Sequence, residues 1–237
     1  MEAPVFTRAM ASATSHSCLH LPAPGGELVG DLIVPAQPGG LVIFCHGSGS
    51  NRFSPRNRQV AQHLQASGLA TLLVDLETRA GSSNGRTLAS LPPLQRRLLA
   101  LIDWTHQHPE LRSLPLGLYG ASTGAALALA AAADRPERVA AVVSRGGRPD
   151  LVFQRLDEVR CPVLLIVGSH DVDVLELNAW AAAQLQVRNE LVVIPQASHL
   201  FAEAGALEAV AEHSSRWFLD QFSELSRKAS SSTAGLA

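Results

Sequence analysis

A serine stands at the centre of the pentapeptide Gly120-Ala121-Ser122-Thr123-Gly124, between an apolar run and an alanine-rich segment of helical length. In G-x-S-x-G sequences that join a strand to a helix, a sharp turn lifts the serine hydroxyl clear of the sheet. A helix that begins at this point directs backbone N–H groups and the positive end of its dipole toward nearby negative charge. The pattern predicts that Ser122 is a nucleophile; the competing interpretation is a glycine-rich turn that happens to contain serine.

A serine hydroxyl is a weak nucleophile at neutral pH, and a base must take its proton. The chain has nine histidines, and most of them fall in the N-terminal region or in predicted helices. His199 instead follows the last apolar run, in the loop Pro195-Gln196-Ala197-Ser198-His199. Because this loop lies at the same edge of the predicted sheet as Ser122, we predict that His199 is the general base.

An imidazole that becomes charged needs a buried carboxylate to fix its tautomer and to stabilise its charge. The loop after the apolar run 163–167 contains two candidates, Asp171 and Asp173. We favour Asp171 because it is nearer to the end of the strand, whereas Asp173 could be the N-cap of the next helix. The order Ser122, Asp171, His199 is that of hydrolases with a G-x-S-x-G turn and not that of chymotrypsin or subtilisin.

The tetrahedral intermediate of acyl transfer carries an oxyanion that needs preplaced hydrogen-bond donors. One predicted donor is the backbone N–H of Thr123, directly after the nucleophile. The other is expected from the loop His46-Gly47-Ser48-Gly49-Ser50, which follows the first fully apolar run. There we favour the N–H of Ser48, with that of Gly47 as the alternative, and we expect His46 to brace the loop.

Several arginines at the predicted strand ends are candidates for binding an anionic group of the substrate. They are Arg145, Arg148 and Arg52, with Arg56 and Arg58 close to the last of these. A guanidinium can bind such a group through two parallel N–H donors. The competing interpretation is that these arginines form structural ion pairs with acidic side chains, of which the candidates are Asp75, Glu77 and Asp150. Asp75 is also expected to organise the loop at the end of its strand.

No metal ion or cofactor is expected. The conceivable zinc site would use His46, His170 and His199, but no HExxH or CxxC spacing supports it. The three cysteines are widely spaced and odd in number, which disfavours a disulfide framework and favours a reducing, cytoplasmic location.

The elements that must position these residues are short apolar runs that alternate with segments of helical length. The runs cover residues 27–34, 41–45, 70–75, 116–119, 140–144, 163–167 and 191–194, and the helical segments cover about 55–67, 91–108, 123–135, 174–186 and 204–225. From residue 41 onward the runs are apolar throughout, as in parallel strands that are covered on both faces. The alternation predicts an α/β fold with a doubly wound, mostly parallel sheet and helices on both faces. Ligands bind at the carboxyl ends of the strands in such sheets.

Composition excludes several classes of function. The formal charge is −2, and no nucleic-acid-binding motif is present, so we expect no nucleic-acid partner. No apolar stretch approaches the roughly 18 residues of a membrane span. The first residues lack a basic segment followed by an apolar one, so a secretory signal is not expected.

These motifs resemble the dienelactone hydrolase-like family of the α/β-hydrolase superfamily. The similarity extends from about Leu28 to Phe222 and is carried by HGSGSNRFSPRN, ATLLVDL, LGLYGASTGAA, AVVSRGGRPDL, VLLIVGSHDVDV and IPQASHLF. Dienelactone hydrolases themselves use a cysteine nucleophile, so Ser122 implies a serine hydrolase and argues against true dienelactone turnover. Where many relatives insert a cap, only residues 145–160 stand here, which implies a minimal cap or none.

The resemblance implies the α/β-hydrolase fold, and 237 residues fit one such domain. We expect a flexible N-terminal segment over residues 1–17, a single domain over 18–226 and a flexible C-terminal tail over 227–237. Similar sequences occur joined to phosphoribosyltransferase-type domains, for which we expect no room in this chain. The sequence does not decide the oligomeric state, and a homo-oligomer is one of the alternatives.

The expected function is hydrolysis of a small carboxylic ester or lactone, anionic if the arginines face it, through an acyl-enzyme intermediate. The same three residues would serve a thioesterase, a peptidase or a perhydrolase, and the sequence does not separate these. A rival from another class is a ligand-binding protein that keeps the hydrolase scaffold without catalysis. Labelling by a fluorophosphonate probe would distinguish that rival.

Overall fold

The computed structural model of the chain describes residues 14–77 and 91–234. Within these residues, eight strands form one sheet in the spatial order β1-β2-β4-β3-β5-β6-β7-β8. In chain order the strands are β1 (Ser15–Ala23), β2 (Gly26–Val34), β3 (Leu41–Cys45), β4 (Ala70–Asp75), β5 (Leu116–Ala121), β6 (Val139–Arg145), β7 (Val163–Gly168) and β8 (Asn189–Ile194). β2 pairs antiparallel with β1 and with β4, and every pairing from β4 to β8 is parallel.

Five α-helices cover both faces of the sheet in the described part of the chain. They are α1 (Pro55–Ala66), α2 (Leu91–Gln107), α3 (Thr123–Asp134), α4 (Val172–Gln184) and α5 (Ala206–Ala234). Neighbouring strand residues point to opposite faces; Phe44 joins the core under α1 and α5, whereas Ile43 joins the core under α2, α3 and α4. The structure thus confirms the predicted doubly wound, mostly parallel sheet with helices on both faces.

The N-terminal boundary differs from the prediction of a flexible segment over residues 1–17. β1 begins at Ser15, which lies opposite Val34 of β2, so residues 15–17 belong to the sheet. Most side chains of this edge strand are exposed, and it therefore lacks the apolar run that reveals the inner strands. The rest of the predicted segment, residues 1–13, lies outside the described residues.

The C-terminal boundary also differs, because α5 continues to Ala234 through most of the predicted tail 227–237. Alanine is the best helix former, and the Lys228 Nζ atom lies 2.7 Å from Glu224 Oε1 one turn earlier. These last turns carry alanines and serines without an apolar stripe, and the sequence pattern therefore did not reveal them. Residues 235–237 lie outside the described part.

The connection after β6 contains a short 3₁₀-helical segment, Pro149–Glu158, which the sequence pattern did not predict. It packs against α3 and α4, and the ring of Phe153 lies 6.4 Å from that of Trp180 in α4. The segment therefore does not cover the strand ends, in agreement with the predicted lack of a substantial cap at this position. Between residues 14–77 and 91–234, no helix combines the length and the apolar character that a membrane crossing requires.

Candidate active site

Ser122 stands between β5 and α3 with a backbone conformation that non-glycine residues rarely adopt, φ 53° and ψ −123°. Three backbone hydrogen bonds hold it there. Its N–H donates to the carbonyl of Arg145 at 3.1 Å, and its own carbonyl accepts from the N–H groups of Ala125 and Arg148 at 3.0 and 3.2 Å. Strain of this kind costs about 1–3 kcal/mol and persists only where the surroundings enforce it.

The glycines of the pentapeptide are required by packing. A Cβ atom on Gly124 would collide with the carbonyl of Cys45, and one on Gly120 would collide with the backbone of Ala125. The first contact brings α3 against the end of β3, and the second brings it against β5. The G-x-S-x-G spacing is thus explained by two close backbone approaches on either side of Ser122.

His199 and Asp171 meet at the carboxyl ends of β8 and β7. The Nδ1–H group of His199 donates to Asp171 Oδ2 at 2.6 Å. Asp171 is the N-cap residue of α4, but its side chain makes no capping hydrogen bond and turns to the imidazole instead. The alternative carboxylate, Asp173, is exposed in the first turn of α4. The structure thus pairs His199 with Asp171.

Hydrogen bonds between the two loops hold this pair in place. The N–H of His170 donates to the carbonyl of Ala197 at 2.9 Å, and the N–H of Gln196 donates to Ser169 Oγ at 2.8 Å. A Cβ atom on Gly168 would collide with the carbonyl of Ala197. The two loops are therefore in direct contact, and these contacts fix the backbone that carries the His199 imidazole.

Ser122 and His199 line the same cavity, which has a volume of about 180 Å³. Gly146, with φ 51°, backs the imidazole, since a Cβ atom there would lie 3.4 Å from His199 Nδ1. Within the part of the chain that the structure describes, the Ser122 hydroxyl makes no direct hydrogen bond with His199. Catalytic hydrogen bonds are often long in unliganded enzymes and shorten when substrate binds.

The two predicted oxyanion donors from the loop after β3 differ in their surroundings. The N–H of Ser48 donates to Thr123 Oγ1 at 2.9 Å, and Ser48 Oγ lies 3.0 Å from the same oxygen. Gly47 lies against the nucleophile, since a Cβ atom there would be 3.2 Å from Ser122 Cβ. In this conformation the favoured Ser48 donor is therefore occupied, because the side chain of Thr123 takes its hydrogen bond.

His46 braces this loop, as the sequence predicts. Its Nε2 atom accepts a hydrogen bond from the N–H of Leu76 at 3.1 Å, and its Nδ1–H donates to the carbonyl of Gly47 at 3.1 Å. The ring therefore ties the loop after β3 to the end of β4.

The three arginine candidates fall into two groups. Arg52 pairs with Asp75, which also accepts from the Arg52 N–H at 2.7 Å, and the Arg148 guanidinium binds Asp150 at 2.7 and 2.8 Å. These contacts are the structural ion pairs of the competing interpretation, and Asp75 organises its loop as expected. The hydrogen bond to Asp150 also raises the pKa of Arg148.

Arg145 is different from both. It is only 9% exposed, it lines the cavity of Ser122, and its Nε and Nη1 atoms are buried without a hydrogen-bond partner. Arg56, which the sequence analysis named beside Arg52 but did not select as a candidate, lines the same cavity. Its place in the first turn of a helix that follows the oxyanion loop is the signal that could have identified it.

The described residues contain no group of three His, Cys, Asp or Glu side chains that could hold a metal ion. Cys18, Cys45 and Cys161 are free cysteines. Burial raises the pKa of the Cys45 thiol and of the Cys161 thiol to about 12, so both are protonated at neutral pH.

Comparison with known proteins places this chain among hydrolases. A family model described as serine aminopeptidase, S33, matches residues 36–147. A crystal structure of dienelactone hydrolase from Anabaena variabilis is similar with 46% sequence identity and a TM-score of 0.84, over 88% of this chain and 99% of that chain. Est1E from Butyrivibrio proteoclasticus shares the fold at 19% identity and a TM-score of 0.75, over 87% of this chain and 99% of its own.

Two relatives, from two strains of Mycobacterium tuberculosis, are provisionally named phosphoribosyl transferases. Each is 49% identical over 193 residues, which is 81% of this chain and 44% of the relative. The chain thus spans less than half the length of these relatives.

Proposed function

The chain belongs to the dienelactone hydrolase-like family of the α/β-hydrolase superfamily, and we propose that it cleaves small carboxylic esters or lactones through an acyl-enzyme intermediate. The observation that carries the proposal is the pairing of His199 Nδ1 with Asp171 Oδ2 at 2.6 Å. This imidazole shares a cavity with a serine whose backbone has positive φ. Nucleophile, base and orienting carboxylate are the parts that acyl transfer needs, and none of the steps requires a cofactor.

In the proposed mechanism, Ser122 Oγ attacks the carbonyl carbon while His199 Nε2 accepts the hydroxyl proton. Because Asp171 engages the Nδ1–H group, Nε2 is the ring nitrogen that lacks a proton and can act as base. The same carboxylate stabilises the imidazolium that forms. The imidazolium then gives its proton to the departing alcohol, and the acyl group remains on Ser122. Water, deprotonated by His199, releases the acid and restores the serine.

The negative charge on the carbonyl oxygen is assigned to backbone donors. The first is the N–H of Thr123, at the N-terminus of α3, where the helix dipole favours negative charge. For the second we assign Gly47 in the observed conformation, because Thr123 Oγ1 holds the N–H of Ser48. Rotation of the Thr123 side chain would release Ser48 as a further donor.

The character of the cavity favours esters and lactones over free amino termini of peptides. An aminopeptidase has to bind the ammonium group of its substrate, which calls for a carboxylate at the site. Among the residues that the structure describes, no carboxylate lines the cavity, whereas Arg56 and Arg145 do. A substrate that carries an ammonium group beside the scissile bond would therefore meet like charge.

A fluorophosphonate probe together with a neutral ester tests the proposal. The wild-type chain is expected to be labelled covalently and to hydrolyse p-nitrophenyl butyrate. Ser122→Ala should lose both properties, with a loss in kcat of at least about 10⁴-fold, and should keep its thermal midpoint. Ser17→Ala, a change on the exposed edge strand β1, is the control and should behave like the wild type.

Absence of labelling in the folded wild-type chain would overturn the proposal and favour the ligand-binding scaffold without catalysis. Labelling of Ser122→Ala at the wild-type rate would show that another residue is the nucleophile. A panel of thioesters, lactones and aminoacyl anilides then ranks the bond types that the same three residues could cleave.

A further inference from the structure

We propose that the cavity beside Ser122 contains a subsite for an anionic group of the substrate, a carboxylate or a phosphate, which Arg145 and Arg56 bind. The inference rests on the proposed function, since it places this group on the ester that Ser122 attacks. It makes Arg145 the residue that determines specificity.

The first group of the proposed subsite is the guanidinium of Arg145, which is buried. Burying a charge is costly unless it is paired and hydrogen-bonded, and buried guanidinium groups therefore have carboxylate partners as a rule. Among the residues that the structure describes, the guanidinium of Arg145 has none: two of its nitrogens, Nε and Nη1, are buried without a hydrogen bond to any of these residues. The guanidinium contacts the ring of Phe201, whose centroid lies 5.8 Å from Cζ. A contact with a ring face leaves the N–H groups at the guanidinium edge without acceptors.

The neighbouring arginines show that this state is particular to the cavity. Arg52 and Arg148 lie near the same strand ends, and each has a carboxylate partner, Asp75 and Asp150 respectively. The internal segment 78–90, which lies outside the described part, contains no aspartate or glutamate. Among the described residues, Arg52 and Arg148 near the cavity thus have carboxylate partners, whereas Arg145 inside it has none.

A second cationic group faces the same space. Arg56 lines the cavity, and its Nε is also buried without a hydrogen bond. It belongs to the first turn of α1, whose N-terminus Ser54 caps by accepting a hydrogen bond from the Asn57 N–H at 3.4 Å. The first turn of this helix contains no acidic residue, so its dipole adds to the positive potential.

The buried hydroxyl group of Tyr119 is close enough to Arg145 to interact with its charge. Tyr119 OH is buried without a hydrogen-bond partner. Burial raises the pKa of Tyr119, and the positive charge of Arg145 opposes this effect. The hydroxyl is therefore neutral at physiological pH, and it does not compensate the charge of the guanidinium.

The chemistry of these groups selects the ligand. A planar guanidinium binds the two oxygens of a carboxylate or a phosphate through parallel N–H donors. The cavity volume of about 180 Å³ suits a short chain with such a terminal group. We therefore expect the substrate to be a small ester with an anionic group a few bonds from the scissile carbonyl.

Two p-nitrophenyl esters of nearly equal size test the subsite, the anionic hemiglutarate and the neutral 5-oxohexanoate, in which a methyl ketone replaces the carboxylate. The wild-type chain should prefer the anionic ester by roughly ten- to a hundredfold in kcat/KM, the range for a hydrogen bond to a charged group. Arg145→Met should abolish this preference, so that the ratio of the two kcat/KM values falls to about one. Arg56→Met should reduce the preference less. Arg216→Met, a change of equal charge on the exposed side of α5, should leave it unchanged.

Free glutarate and inorganic phosphate, as competitive inhibitors of neutral-ester hydrolysis, show which anion the subsite holds. The stronger inhibitor identifies the group, and Arg145→Met should weaken either inhibition. The thermal midpoint of Arg145→Met should not fall, because the residue it removes is a buried charge without a partner.

Hydrolysis of both esters at equal rates by the wild type, with no inhibition by either anion, would overturn the subsite and leave the proposed function intact. Equal loss of both ester activities in Arg145→Met with a lowered thermal midpoint would make Arg145 a structural residue, which also contradicts the proposal. If neither ester is hydrolysed and no labelling occurs, the proposed function itself fails.

Discussion

The two sides of Ser122 are built in opposite ways. On one side, the His199 ring is held by Asp171, backed by Gly146 and anchored by hydrogen bonds between its loop and the loop after β7. On the other side, Arg145 and Arg56 face the cavity with buried nitrogens that have no partner. Proton transfer needs groups that are oriented in advance, whereas a binding site needs polar groups whose partner arrives with the ligand. Under the proposed function, the His199 side therefore performs the chemistry and the Arg145 side selects the substrate.

Of the changes on the His199 side of Ser122, loss of the Asp171 carboxylate should have the largest effect on activity. Asp171→Asn is expected to lower kcat for a neutral ester by about 10³- to 10⁴-fold, because an amide favours the wrong tautomer of His199 and does not stabilise the imidazolium. Asp173→Asn, two residues further in the exposed first turn of α4, is the matched control and should stay within about twofold of the wild type. Steady-state kinetics of the two variants check this, and equal effects would contradict the assignment of Asp171.

A smaller effect should follow from filling the space behind the imidazole. Gly146→Ala and Gly205→Ala both place a Cβ atom on a backbone with positive φ, 51° and 77° respectively. Each should lower the free energy of unfolding by about 1 kcal/mol, measured by urea denaturation. The Cβ atom of an alanine at 146 would contact the His199 ring at 3.4 Å from Nδ1, so that relaxation of the strained backbone would move the ring, whereas nothing among the described residues lies within 4 Å of the Cβ position at 205. We therefore expect a fall in kcat of about tenfold for Gly146→Ala alone; a similar fall in both would show that strain and not contact is responsible.

The smallest effect on activity is expected from alkylation of the cysteine thiols. Because burial raises the pKa of Cys45 and Cys161 to about 12, both are thiols and not thiolates at pH 8, and thiolate is the reactive form. Iodoacetamide at pH 8 should therefore add one group to the folded chain, at the exposed Cys18, with ester hydrolysis unchanged. Intact-mass spectrometry and an activity assay on the same sample test this. A second adduct that forms in step with loss of activity would show that Cys45, at the end of β3, becomes accessible and that its alkylation disturbs the site.

The sequence revealed the parts of the fold that bury apolar side chains on both faces. β3 to β7 are visible as buried apolar runs, and the turn at Ser122 is visible because two glycines must stand at fixed distances from it. β8, an edge strand with partly exposed side chains, is visible through its apolar residues 191–194. β1 and the last turns of α5 were missed, because an exposed edge strand and an alanine-serine helix carry no such signal.

Within the site, the order of the elements along the sequence was sufficient to predict that His199 and Asp171 lie at neighbouring strand ends. It was not enough to show that the Thr123 side chain occupies the N–H of Ser48, because that depends on a single side-chain torsion. Nor could it separate Arg145 from Arg148, which are three residues apart. Only the folded loop shows that Asp150 is within reach of Arg148 and that Arg145 points into the cavity.

The hydrogen bond from the Ser122 N–H to the carbonyl of Arg145 has a consequence for how this family can diversify. The residue at position 145 supports the backbone of Ser122 through its main-chain carbonyl, which every amino acid provides. The side chain at the same position can change without loss of that support. New substrate preferences could therefore arise, in evolution or in the laboratory, by single replacements at residue 145 while the reaction chemistry is inherited intact.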